Sequence, residues 1–156
     1  ENYSTKGLEI YGITPNVMMA SYLLREKLNS MGLSTICEDA NLTEFITLNN
    51  WNHSYSYQAS RIFLLDKKST YSSLKYFIDV HRDSVVNKIN DIANKLYPGL
   101  SRGILTKSGS NVNGIYNQDI SENVILIEIG GVDNDIGEVL NTVNALSDIL
   151  YTYIKG

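Results

Sequence analysis

The fold is decided by a stretch that runs Lys75-Tyr76-Phe77-Ile78-Asp79-Val80-His81-Arg82-Asp83-Ser84. Its first half is apolar, aromatic and β-branched, which is typical of a buried strand, and its second half changes abruptly to His-Arg-Asp-Ser. Sites in α/β proteins lie beyond the carboxyl ends of the strands, so a titratable cluster here stands where a site is expected. Because neutral imidazole is the commonest metal ligand, His81 is the first candidate for chemistry. The alternative is a strand-end histidine that bonds only to loop backbone.

A second apolar strand carries a carboxylate and runs Val124-Ile125-Leu126-Ile127-Glu128-Ile129-Gly130-Gly131. Burying an unpaired Glu costs on the order of 3 kcal/mol or more. We therefore expect Glu128 either to be paired with a cation or metal, or to be tuned as a proton carrier. The two glycines predict a sharp turn directly after it. We expect strands 74–80 and 124–129 to be neighbours, with His81 and Glu128 approaching one cleft.

Composition limits the classes of function. The chain has 156 residues and 43% hydrophobic residues, enough for one well-buried core. A net charge of −4 without a Lys/Arg cluster argues against a nucleic-acid surface. The single cysteine, Cys37, excludes an internal disulfide, and no apolar run approaches the ~18 residues that span a membrane. Eleven tyrosines, several beside Asn or Ser, suit either a surface that contacts sugars or peptides or ordinary amphipathic loops.

Helical spacing of apolar residues alternates with short strand-like runs, which indicates one α/β domain. The pattern predicts helices from Pro15 to about Gly32, over 57–68, over 85–97 and from Asn134 or Asp135 onward. Residues 33–37 and 103–105 are predicted to be short strands. Between 41 and 56 the pattern weakens, and His53 is either a second metal ligand or, as we favour, an exposed loop histidine.

Taken together, these residues resemble the catalytic domain of the stage II sporulation protein P family. The matching stretches fall in the family's order over roughly residues 14–150: Tyr57–Arg61, Asp79–Ser84, Arg102-Gly103, Tyr116–Asp119 and Leu126–Gly131. Each stretch is a weak signal alone, and the set is fairly specific.

The resemblance implies an amidase-type α/β fold, with a twisted, mainly parallel sheet flanked by helices. It implies zinc-dependent cleavage of the peptidoglycan bond between N-acetylmuramic acid and L-alanine, with His81 as a zinc ligand and Glu128 as the catalytic carboxylate. Arg82, Arg61 and Asn117 are candidates for substrate contact or loop bracing. For Arg61 the alternative to holding a substrate carboxylate is a simple salt bridge, which is the commoner role of such an arginine.

The chain departs from the family pattern in two places. The resemblance also implies a cellular location and a partner. Residues 1–156 are expected to be a single catalytic domain that lacks the family's N-terminal ligand strand and a segment after about residue 84. The location is expected to be extracytoplasmic in a sporulating bacterium, with any membrane anchor upstream of Glu1 and stage II sporulation protein D as a glycan-cleaving partner. Two rival functions remain: a non-catalytic cell-wall-binding scaffold, and a zinc peptidase acting on stem peptides.

Overall fold

The computed structural model describes residues 17–81, 87–103, 117, 119–130 and 134–156. Its helices and strands follow in the order α1 (Val17–Ser30), α2 (Leu42–Leu48), α3 (Ser56–Thr70), β1 (Phe77–His81), α4 (Asn87–Leu96), β2 (Val124–Glu128) and α5 (Ile136–Lys155). A short 3₁₀ helix, His53–Tyr55, precedes α3. No helix in the described part of the chain is both long and apolar enough to cross a membrane.

The described residues divide into two compact units. Unit 1 takes residues 17–37, 79–81, 87–103, 126–130 and 134–156, and unit 2 takes residues 38–78, 117 and 119–125. The division passes through both strands, so each strand begins in unit 2 and ends in unit 1.

Unit 1 is built on α5, which packs against both α1 and α4. Asp135 caps α5 by accepting from the Glu138 backbone N–H, and the Glu138 carboxylate accepts in return from the Asp135 N–H. This capping box satisfies two of the backbone donors that a helix start leaves unpaired, and it confirms the predicted start of the last helix. The apolar stripe of α5 is buried at Val139, Val143, Ala145, Leu146, Ile149 and Leu150.

The end of α1 confirms the glycine stop that the sequence predicts. Gly32 has φ +83 and its N–H donates to the Asn29 carbonyl, while the Leu33 N–H donates to the Leu28 carbonyl. These two bonds are the Schellman pattern, which requires a left-handed residue that glycine adopts without a Cβ penalty.

The predicted strand over residues 33–37 is wrong. These residues have no regular structure, and the Asn29 side chain forms hydrogen bonds with the backbone of Thr35. Its Nδ2 donates to the Thr35 carbonyl at 3.0 Å and its Oδ1 accepts from the Thr35 N–H at 2.9 Å. Because one carboxamide takes both hydrogen-bonding groups of Thr35, the middle of the segment has none left for a neighbouring strand.

The two strong apolar runs are neighbours, as predicted. β1 and β2 form a two-stranded parallel sheet, which begins where the Phe77 N–H donates to the Asn123 carbonyl at 3.0 Å. Within the described residues the sheet holds these two strands, flanked by helices. The mixed helix and strand architecture is therefore confirmed in its coarse form, while the amidase-type fold and the single catalytic domain stay predictions.

Unit 2 contains a helix that the sequence did not reveal. α2 begins after Asn41, whose side-chain oxygen accepts from the Glu44 N–H. The helix has only seven residues, of which Ile46 alone is buried, and Leu48 is 75% exposed. With a single buried residue, a helix this short shows no repeated spacing of apolar residues from which it could be predicted. The predicted helix start at Pro15 and the predicted strand over 103–105 lie at least partly outside the described residues.

Candidate functional site

The two residues singled out for chemistry end neighbouring strands. His81 is the last residue of β1 and Glu128 is the last residue of β2, and both strands are five residues long. Because the strands are parallel, their carboxyl ends lie at the same edge of the sheet, where α/β proteins place their sites. The side chain of His81 and the whole of Arg82 lie outside the described residues, so their expected roles stay predictions.

Glu128 is a largely buried carboxylate with one long ionic contact. Its side chain is 11% exposed, and its Oε2 lies 3.8 Å from Nη2 of Arg102. That separation exceeds hydrogen-bond distance, so the contact is an ion pair without a hydrogen bond. The other oxygen, Oε1, is buried and has no hydrogen-bond partner within the described part of the chain.

The partner does little to offset the burial of this carboxylate. Arg102 is 79% exposed, and an ion pair with a solvated head contributes about 0–1 kcal/mol. Buried carboxylate oxygens are nearly always hydrogen-bonded, so an open one calls for an explanation such as a catalytic role or an unseen ion. Chemically, Oε1 of Glu128 is suited to accept a proton from water or to contact a cation.

Arg61 is fully engaged inside unit 2. Its Nη1 and Nη2 donate to Oδ1 and Oδ2 of Asp119, each at 2.8 Å. This is the paired geometry in which a guanidinium matches a carboxylate. The hydrogen bond lowers the pKa of Asp119 and raises that of Arg61. The salt bridge, which was one of the two roles expected for Arg61, is therefore observed.

Asn117 also braces the chain beside α3. It is buried, has φ +59, and donates from Nδ2 to Oγ of Ser60 at 2.9 Å. Nearby, Nζ of Lys68 donates to the Ile120 carbonyl at 2.9 Å. We call these bonds, together with the Arg61–Asp119 pair, the α3 clasp. It joins two of the stretches that carry the family resemblance, 57–61 and 116–119.

The predicted site residues thus fall into two groups. Arg61 and Asn117 meet in the α3 clasp of unit 2, while the strand ends at His81 and Glu128 belong to unit 1. Loop bracing, one of the roles expected for Arg61 and Asn117, is what their contacts show. Substrate contact by either residue stays a prediction.

Sequence reasoning missed the partners of both charged site residues. No acidic residue stands three or four positions before Arg61, and its partner Asp119 stands 58 positions later. Arg102 was noted only as part of a matching stretch and was given no role. One signal was available: Arg61, Arg102 and Asp119 all lie in the stretches that carry the family resemblance. Charged residues in such stretches are candidates for pairing with one another, even where they are distant in the sequence.

A complete metal site is not visible in the described ranges. No group of three His, Cys, Asp or Glu side chains there lies close enough to hold an ion. His53, the other candidate, is exposed on the 3₁₀ helix of unit 2, as we favoured. The strand edge nevertheless offers a histidine position on the strand beside that of Glu128, whose Oε1 has no hydrogen-bond partner among the described residues. Imidazole and carboxylate are both ligand types that zinc accepts.

Comparison with known proteins supplies the family. The family described as "Stage II sporulation protein P" matches residues 1–89 and 84–151. The chain belongs to this family. The two matched segments meet at residues 84–89, directly after the β1 stretch. Whether a segment is missing there stays a prediction.

One relative is the stage II sporulation protein P of Bacillus subtilis (strain 168). The chain is 26% identical to it over 168 residues, which cover 86% of this chain and 42% of the relative. The chain therefore spans less than half the length of that relative. No solved structure matches the chain.

Proposed function

We propose that this protein is a sporulation peptidoglycan hydrolase that cleaves the amide bond between N-acetylmuramic acid and L-alanine. The observation that carries the proposal is Oε1 of Glu128, which is buried and has no hydrogen-bond partner among the described residues. It lies at the end of the strand beside the one that ends in His81. Family membership supports a role in sporulation. Hydrolysis needs a base that is held rigidly near water, and a carboxylate on a buried strand meets that need.

In this proposal Glu128 moves the proton. Its Oε1 takes a proton from a water molecule as the water oxygen bonds to the scissile carbonyl carbon. The same proton passes to the L-alanine nitrogen as the carbon–nitrogen bond breaks, so the products are a carboxylic acid and a free amine.

His81 is the residue of this edge that would hold a zinc ion, together with ligands outside the pair discussed here. When bound, zinc supplies an acidified water molecule and polarises the carbonyl. Substrate contacts are proposed for Arg82, and also for Arg61 and Asn117 to the extent that the α3 clasp leaves them free. The family context supports an extracytoplasmic location and action beside stage II sporulation protein D.

The test is mass spectrometry of purified cell wall digested with the protein. Amidase activity releases stem peptides with a free L-alanine amino terminus and leaves intact lactyl carboxylates on the glycan. Cuts inside the stem peptides would support the rival zinc peptidase. Binding to the wall without release of any fragment, by a zinc-loaded preparation, would support the non-catalytic scaffold and overturn the proposal.

A further inference from the structure

Unit 2 carries an ordered pair of aromatic side chains that the proposed hydrolysis does not use. Trp51 stacks on Tyr55, with ring centroids 5.3 Å apart and planes inclined by 30°. Phe45 meets Trp51 edge-on at 5.8 Å and meets Phe63 of α3 at 5.0 Å. We call the Trp51–Tyr55 pair the aromatic platform. It is anchored to α2 and α3 through Phe45 and Phe63.

Polar side chains fix the backbone that carries the platform. The side-chain oxygen of Asn52 accepts from the Ser54 N–H at 2.9 Å and so caps the 3₁₀ helix that ends at Tyr55. Before it, Asn49 donates from Nδ2 to the Phe45 carbonyl, and Asn50 takes the left-handed conformation with φ +55. The platform is therefore held in place before any ligand arrives, which lowers the entropic cost of binding.

The platform presents an open aromatic surface in a neutral setting. Tyr55 is 42% exposed. Residues 45–60 contain no Asp, Glu, Lys or Arg, although 19% of the whole chain is charged. Three asparagines and three serines lie within this stretch. Because this stretch holds no Asp, Glu, Lys or Arg to pair with a phosphate or an ionic peptide, the ligand that we expect is neutral and rich in hydroxyl or amide groups.

We propose that the aromatic platform binds a pyranose ring of a glycan strand. One face of a pyranose exposes C–H groups of slight positive charge, which pack against the negative face of an aromatic ring. Its rim exposes hydroxyl and N-acetyl groups that exposed carboxamides such as that of Asn50 can bond. This inference deepens the proposed function, since the glycan would be that of peptidoglycan, but it concerns binding and not the bond that is cut.

The chain contains its own reporter for this site, because Trp51 is its only tryptophan. The full chain is titrated with soluble N-acetylglucosamine hexamer and with peptidoglycan strands stripped of stem peptides, and Trp51 fluorescence is followed. We expect a saturable change in both titrations. Tyr55→Ala should raise the Kd at least about tenfold, which corresponds to about 1.4 kcal/mol. Tyr55→Phe keeps the stack and should stay within about threefold of the original Kd.

Tyr71 provides the matched control, because it is 45% exposed in the same unit and takes no part in the platform. Tyr71→Ala should leave the Kd unchanged. Absence of any saturable change with either glycan overturns the inference. So does an equal loss of affinity in the Tyr55→Ala and Tyr71→Ala variants, or a fluorescence response to isolated stem peptides only.

The same titration on a Glu128→Gln variant separates this inference from the proposed function. Glycan binding should persist in this variant, because Glu128 is not part of the platform. Glycan binding by the unmodified, zinc-loaded chain without release of any stem peptide would leave the platform standing while the hydrolase proposal falls. Hydrolysis of cell wall by a protein whose platform does not respond to glycan would overturn the platform alone.

Discussion

Arg102 and Glu128 form a contact that is unequal on its two sides: the arginine head is 79% exposed, while the carboxylate that it faces is 11% exposed. Their nearest atoms are 3.8 Å apart, and the second carboxylate oxygen is buried without a partner in the described residues. A purely structural ion pair would be expected to use both oxygens and close to hydrogen-bond distance. This arrangement instead leaves one basic oxygen open, and it shapes the first prediction.

Glu128→Gln should abolish most hydrolysis with little loss of stability. The change removes the basic oxygen but keeps the size of the side chain, so turnover should fall by about 10² or more, the scale of a general acid–base group. The ion pair that is lost has a solvated partner and contributes only about 0–1 kcal/mol. Stem-peptide release and the thermal midpoint of unfolding, measured on one preparation, check both parts.

Glu122→Gln is the matched control, because Glu122 is an exposed carboxylate just before β2. It should leave both turnover and midpoint unchanged. Near-normal turnover in Glu128→Gln, with a large drop in midpoint, would show that Glu128 is only a structural partner of Arg102.

His81→Ala should lose both bound zinc and activity, because a residue that ligates the metal directly also holds it in place. Elemental analysis of the unmodified chain should give about one zinc per molecule, held tightly enough to survive dialysis. His53→Ala is the control, since His53 is exposed on the 3₁₀ helix of unit 2 and ends neither strand. Equal zinc content in the two variants would remove His81 from the site.

The α3 clasp predicts a dependence of stability on pH. The hydrogen bond from Arg61 lowers the pKa of Asp119, so the folded state holds this carboxylate ionised more strongly than the unfolded state does. The resulting stability is present above the unfolded Asp pKa of about 3.9 and is lost as the pH falls through the lower folded pKa. Asp119→Asn should therefore lower the thermal midpoint at pH 7 and have a progressively smaller effect as the pH falls below about 4.

Asp66→Asn is the control for that series, because Asp66 is an exposed aspartate on α3, the helix that also carries Arg61. It should leave the thermal midpoint at pH 7 close to that of the unmodified chain. A pH-independent effect of Asp119→Asn would show that the carboxylate contributes packing and not charge.

Much of the fold could be predicted because its elements are either strongly apolar or clearly capped. The β2 run is buried at four of its five positions, and α5 begins with a capping residue and continues with a regular apolar stripe. The failures are local. α2 is too short to show the helical spacing of apolar residues. Residues 33–37 have strand-like composition, but the backbone N–H and carbonyl of Thr35 bond to the Asn29 side chain. Composition records neither effect, because both depend on which polar groups meet in space.

The candidate site was predictable only where its signal was local. A carboxylate inside an apolar strand identifies Glu128 from a single window of sequence, and the strand geometry brings its position beside that of His81. The partners Asp119 and Arg102 could not be assigned, since each is separated from its partner by tens of residues. Ion pairs between residues so far apart depend on how the chain folds, and no fixed spacing in the sequence predicts them.

Gly130 lies two residues after Glu128, and its replacement gives the last prediction. The sharp turn predicted at Gly130 and Gly131 lies partly outside the described residues. It has φ +69, and a Cβ built there would lie 2.7 Å from Oδ1 of Asn134. Gly130→Ala therefore adds a clash to the cost of a left-handed alanine, which alone is about 1 kcal/mol. Gly99→Ala is the matched control, because Gly99 has φ +85 and open space around it. Both variants should lose stability in denaturant unfolding, with the greater loss at Gly130, and only Gly130→Ala should also reduce hydrolysis by moving the backbone close to Glu128. Equal losses in the two variants would mean that Asn134 moves aside freely and that Gly130 does not position the carboxylate.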